Sequence, residues 1–330
     1  MIYRHGWTHL PIISFAIIAM PIAFYILSDI LFLIFGWHGP RIAPLSDQSF
    51  DARADASARL LVLAAILAVI GVGCFAICRF ITDLHRMPAR VSGPLLLGLA
   101  TGVTITLIYS ITLGQCIPII DYLGDGFMHS ALSAFDKSEG HAAHTLGRGS
   151  ISLALRFDKL MTWVRLFLIL SSAAVIVGAA SCLALPPSDS PEAEQAAALL
   201  AQRQRLRNYA NLGAILMVSG MLFMLAWMHW PGALLPKAAA QAFIRHVNAL
   251  GLYFGVTYSL MIAAYTLPTA TILHERSLAI GNAPNTGEDR SLLGKGMVDG
   301  LGKILVILAP TLAGAVPAVI ELLKSLSGDS

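Results

Sequence analysis

Seven apolar windows constrain this 330-residue chain more than any other feature. They run over roughly 11–37, 60–82, 94–120, 159–184, 208–236, 247–273 and 301–323. Each is at least 23 residues long, and about 20 suffice to carry a helix across ~30 Å of hydrocarbon. Backbone in lipid must satisfy its own hydrogen bonds, so such windows are helical by default. An outer-membrane barrel would instead alternate apolar and polar residues over segments of about ten. The chain carries 22 Lys and Arg and 19 Asp and Glu, 12% of its length, against about 25% in soluble domains. Only six of these charges fall inside the windows: Asp29, Arg79, Lys159, Arg165, Lys303 and Glu321. The connecting segments therefore have ordinary soluble composition, and the windows do not. The pattern specifies an all-α, polytopic membrane helix bundle of six or seven transmembrane helices. Most soluble-enzyme classes are excluded at once.

The first window is too long for the apolar core of a cleavable signal, and no small-x-small site closes it, so it is expected to be retained. Lys and Arg divide almost evenly between the two sides of the spans, which leaves orientation close to undecided. The cluster Arg79, Arg86 and Arg90, opposed by Asp83 alone, tilts the N-terminus toward the cytoplasm of a bacterial-type inner membrane. The net charge of +3 is too small and scattered for nucleic acid. The expected partners are the bilayer and a second copy or another membrane subunit. No cofactor is implied. Cys74, Cys78, Cys116 and Cys182 all fall within windows. Cys74 and Cys78, four apart, read as small packing residues rather than ligands of a soft metal.

The chain divides into four parts: a three-helix unit at 1–120, an extramembrane or interfacial loop at 121–158, a second three-helix unit at 159–273, and a tail at 274–330. The tail ends in a span that is kinked by Pro310, Gly314 and Pro317 and that crosses or re-enters. Residues 191–207 place acids first and Arg203, Arg205 and Arg207 last, the order that complements a helix dipole. They predict a helix running directly into the fifth span.

Two short matches point to an internal repeat. GLATGVTITL at 98–107 and GLYFGVTYSL at 251–260 agree at six of ten positions, and AILAVIG at 65–71 and AILMVSG at 214–220 at five of seven. A repeat of three spans is odd, so its halves would lie inverted in the membrane, as in many transporters. The resulting three-plus-three-plus-one layout resembles that of trimeric intracellular cation channels. Its first six spans resemble aquaporin topology. No sequence motif of either is present, so the likeness is one of architecture alone.

Asp29 lies well inside the first span, where an ionised carboxylate costs a few kcal/mol unless it has a partner, a wet cavity or a proton. Arg165, six residues into the fourth window, is the natural counter-charge, and the pair reads as a polar gate. Thr101, Thr104, Thr112 and Gln115 form a hydroxyl and amide stripe on the third span. Tyr258, Tyr265 and Thr269 do so on the sixth. Both stripes begin at Gly-x-x-x-Gly, Gly98/Gly102 and Gly251/Gly255, a spacing that lets helix backbones approach closely. Pro118 and Pro268 read as helix terminators. His141 and His144, with Glu139, form a weak metal set in the long loop; Gly140 opposes the helix that would align them. Neither a nucleotide-binding fingerprint nor a nucleophile elbow appears, so no enzymatic activity is expected.

These residues point first to a channel or transporter subunit passing a small solute or ion between its halves. The scarcity of intramembrane acids favours passive movement over proton coupling. The alternative is a non-transporting accessory or effector subunit acting through helix contacts. A third reading, a metal-dependent membrane enzyme, would require the loop histidines to converge on a metal.

Overall fold

A computed structural model of the chain describes residues 10–34, 52–112, 153–185, 191–230, 232, 237–281, 306–317 and 319. Every described element is a helix. They are α1 (Ile13–Ile34), α2 (Ala52–His85), α3 (Ala89–Thr112), α4 (Leu153–Ser181), α5 (Glu192–His229) and α6 (Lys237–Gly281), followed by the shorter α7 (Val306–Pro317). The first six are long and apolar enough to cross a membrane, and the chain is an integral membrane protein. The 12 residues of α7 rise about 18 Å, less than a bilayer core.

Two helices exceed what a bilayer requires. At 1.5 Å per residue, the 38 residues of α5 and the 45 of α6 rise about 57 and 67 Å. All five charges of α5, from Glu192 to Arg207, sit in its first sixteen residues, and 208–229 is free of charge. The sequence expectation of one helix leading into the fifth span is met without a break, with Pro191 at the N-cap.

Successive spans alternate direction, and two buried acids label the two ends of the bundle. Asp83, at 1% exposure, lies where α2, α4 and α6 end; Asp29, at 7%, lies where α1 ends. These are called the Asp83 face and the Asp29 face. At the Asp83 face, α2 turns directly into α3, closed by Arg86 N–H to the Asp83 carbonyl and Met87 N–H to the Leu84 carbonyl. At the Asp29 face, the Arg59 guanidinium lies 5.5 Å from the Trp230 ring centroid, capping the junction of α2 with α5.

Packing is uneven around the bundle. In the spanning stretches 72% of α5 and 61% of α6 residues are buried, against 22% in α3. α5 packs on α2, α4 and α6, whereas α2 packs on α4 and α5 and at most marginally on α1 or α3. The two sets of three helices thus have different neighbours, whatever their sequence matches.

Pro268 does not terminate its helix: α6 continues to Gly281. Proline removes the backbone donor that would reach the Ala264 carbonyl, which membrane helices tolerate within a packed bundle. Around it, Thr266 donates to Ile262 O, Thr269 to Tyr265 O and Thr271 to Leu267 O, hydroxyls returned to their own helix. Pro118 lies outside the described residues.

The Gly-x-x-x-Gly pair of α6 holds α7. A Cβ on Gly255 would stand 2.7 Å from the Pro310 carbonyl oxygen, and one on Gly314 would stand 2.3 Å from that of Gly251. Ser259 and Thr311 share a hydroxyl–hydroxyl bond of 2.7 Å, and the Thr311 N–H donates to Ser259 Oγ at 3.2 Å. α7 therefore runs antiparallel to α6 with backbone touching backbone.

Candidate functional site

A cavity of about 190 Å³ lies among α1, α3, α4, α5 and α6. Glycine creates part of it: Gly98 and Gly102 present no side chain toward α1, where Ile18 Cδ1 and Ile22 Cδ1 come within 3.2 and 3.4 Å of their would-be Cβ positions. Lining residues on α4 run from Arg165 to Val177, about 18 Å of helix rise. The space is therefore a slot along the bundle rather than a sphere.

The slot is chemically graded. Toward the Asp83 face it is lined by Ile18, Ile176, Val177 and Leu216, with Ser172 midway. Toward the Asp29 face stand Tyr25, Thr106, Tyr258 and Arg165, the last being the one charged residue of the lining. Thr106 donates to its own helix at Gly102 O, 2.9 Å away. Among the described residues, the hydroxyls of Tyr25 and Tyr258 make no such bond. Arg165 lines the slot and is itself exposed, so the slot reaches the protein surface there.

A second polar layer stands behind this end. Asp29 Oδ2 accepts from Tyr109 Oη at 2.9 Å, and the Tyr109 ring meets Tyr25 edge-on at 6.0 Å. The neighbouring Ser28 holds α1 to α6: Tyr253 Oη donates to the Ser28 carbonyl at 2.7 Å, and Ser28 Oγ lies 3.0 Å from Tyr253 Oη and 3.4 Å from Thr257 Oγ1. Tyr25 is close enough to both Asp29 and Arg165 to feel each charge. The two candidate gate residues thus flank one tyrosine, but they form no ion pair among the described residues. A phenol supplies the carboxylate's hydrogen bond in place of the guanidinium.

The hydroxyl stripes are placed less favourably. Thr101 and Thr104 are exposed on the outer side of α3, because Gly98, Gly102 and Tyr109 take the inner side at helical spacing. Gln115 and the Thr112 side chain lie outside the described residues. On α6, Tyr258 lines the slot. Tyr265 is fully buried, its hydroxyl sealed against Gly213 without a hydrogen-bond partner among the described residues, and Thr269 spends its hydroxyl on its own helix. Glu139, His141 and His144 lie outside the described residues. Cys74 and Cys78 are exposed on the outside of α2 rather than packed inside.

Sequence reasoning missed the cluster at the opposite end. Asp83 Oδ2 accepts from Tyr209 Oη at 3.0 Å and pairs with Arg79 Nε at 3.4 Å and Arg205 Nε at 3.9 Å. Around it, Gln202 Nε2 donates to Ala184 O at 2.7 Å, Arg276 to Leu183 O at 3.0 Å, and Arg203 to Ser277 Oγ. These contacts dock the charged start of α5 on the ends of α4 and α6. The usable signal was Arg79 and Asp83 four apart on α2, facing Arg205 and Tyr209 four apart on α5. Cys182 lies fully buried next to this cluster.

No family model matches the chain, and no curated protein or solved structure matches it.

Proposed function

We propose that the protein is a channel or transporter subunit that passes a small solute passively, and that the slot among α1, α3, α4, α5 and α6 seats that solute. The observation carrying this reading is the slot itself, bounded by five of the six long helices and polar at one end. Ligand sites in helical bundles lie between helices and combine apolar walls with a few converging polar groups. An intramembrane ionisable residue usually marks a solute or ion route, and Asp29 stands directly behind the polar end. The buried acids among the described residues are Asp29 and Asp83, and Asp83 is bound to two arginines. A single buried acid without a cationic partner among the described residues supports passive movement rather than a proton relay.

The test is flux into vesicles reconstituted with the protein, using polyols, monocarboxylates of graded chain length, and potassium. At least one class should cross several-fold faster than in protein-free vesicles and be indifferent to a protonophore. Ala173→Trp, which fills the slot, should abolish the gain. Equal flux with and without protein for every class, or a gain untouched by Ala173→Trp, overturns the reading.

The alternative, an accessory subunit acting through helix contacts, draws support from the closed packing of α5, α6 and α7, where glycine backbones touch and the Tyr265 hydroxyl is sealed. A membrane partner co-purifying stoichiometrically with a flux-inactive protein would favour it.

A further inference from the structure

Resting on the reading that the slot is the ligand seat, we infer that its ligand is an anionic single-chain amphiphile, of the chemical class of a medium-chain carboxylate, with its head at Arg165 and its chain directed toward Val177. Three features of the slot converge on that class. The first is shape: about 190 Å³ drawn out along the α4 lining from Arg165 to Val177 suits one flexible chain and excludes a two-chain lipid. An apolar cavity of about 150 Å³ already stays dry and takes up a molecule the size of benzene.

The second is charge. Arg165 is the one charged group of the lining, and its planar fork of donors matches a carboxylate. The hydroxyls of Tyr25 and Tyr258 stand at the same end without hydrogen-bond partners among the described residues, so two more donors await an acceptor there. Asp29 is absent from the lining and its carboxylate is turned to Tyr109, but its charge reaches both Tyr25 and Tyr258, so the head is held at Arg165, the end's one cation, against that repulsion.

The third is depth. Arg165 lies six residues past Lys159, where the spanning stretch of α4 begins, a rise of about 9 Å. A guanidinium on a flexible stem reaches headgroup level from there. The polar end of the slot thus sits within reach of one leaflet's headgroups, and the lining continues past the bilayer centre to Val177, about 6 Å of helix rise short of Ser181 at the other end of the span. A ligand can enter from the membrane without reversing its orientation.

The experiment uses the reconstituted full chain and a decanoate carrying a diazirine near its chain end. On illumination, labelling should concentrate on Ile169, Ser172 and Met217. Excess decanoate should compete for it, whereas decyltrimethylammonium at the same concentration should not. Arg165→Gln should reduce labelling about tenfold, as loss of a charge-assisted hydrogen bond does, while Arg165→Lys retains most of it. Ala173→Trp should remove it. Labelling spread over the lipid-facing Leu63, Leu67 and Trp163, equal competition by the cation, or indifference to Arg165→Gln overturns the inference. Labelling as described with no flux of any class refutes the transport reading and leaves the ligand class standing. Flux of polyols or potassium blocked by Ala173→Trp, without decanoate labelling, does the reverse.

Discussion

Tyr109 Oη donates to Asp29 Oδ2 at 2.9 Å, and this bond across α3 and α1 is the hydrogen bond that the described residues provide for a carboxylate only 7% exposed. Removing a donor from a buried charged acceptor costs about 1.5–3 kcal/mol. Tyr109→Phe should therefore lower thermal stability in detergent by that amount, and Asp29→Asn, which keeps an acceptor for Tyr109, by less. In the vesicle assay Asp29→Asn should change flux or its pH dependence. Unchanged flux would take Asp29 out of the mechanism.

At the other end, Asp83 joins α2 to α5 through Tyr209 and Arg205. Asp83→Ala leaves a phenol and two guanidinium groups without their acceptor and should cost about 2–3 kcal/mol. Both arginines are partly exposed, which keeps the figure below that of a fully buried pair. Gly178→Ala should cost about 1–3 kcal/mol by another route, since its Cβ would stand 2.3 Å from the Tyr209 ring. Thermal denaturation reads both. A Gly178→Ala protein that melts with the wild type would show that the Tyr209 ring moves aside freely.

The contact of α7 with α6 can be read by crosslinking. In a cysteine-free background, Ser259→Cys with Thr311→Cys replaces hydroxyls 2.7 Å apart and should oxidise to a disulfide under copper phenanthroline. Gly255→Leu drives a side chain into the Pro310 carbonyl and should abolish it. Crosslinking that survives Gly255→Leu would mean that the close backbone approach does not hold α7 in place.

The spans were legible because hydrocarbon thickness imposes a length and forbids charge, and both are written in the sequence; the continuous α5 was equally clear from its dipole-ordered charges. The rotation of α3 was not. A threonine can return its hydroxyl to its own helix and face lipid, so Thr101 and Thr104 give no direction, while the two glycines that do set the face carry no polarity. Asp83 falls just past the second apolar window, so the sequence alone gives it no reason to be buried. Its burial comes from the extension of α5 beyond the membrane, a tertiary fact with only the spacings at Arg79/Asp83 and Arg205/Tyr209 to announce it. Asp29 was legible as costly, but its partner was not, since any polar side chain at that depth could have answered it.

The backbone contact between α6 and α7 has a mechanical consequence. Two helices whose main chains touch at Gly251, Gly255 and Gly314 cannot slide past one another by repacking side chains, so α6 and α7 move as one piece, and α5 is bound to that piece over its length. The molecule is stiff on that flank and compliant on the other, where α3 is largely uncovered. Because Ser28 also ties α1 to α6 through Tyr253, any breathing that widens or narrows the slot falls mainly to α3.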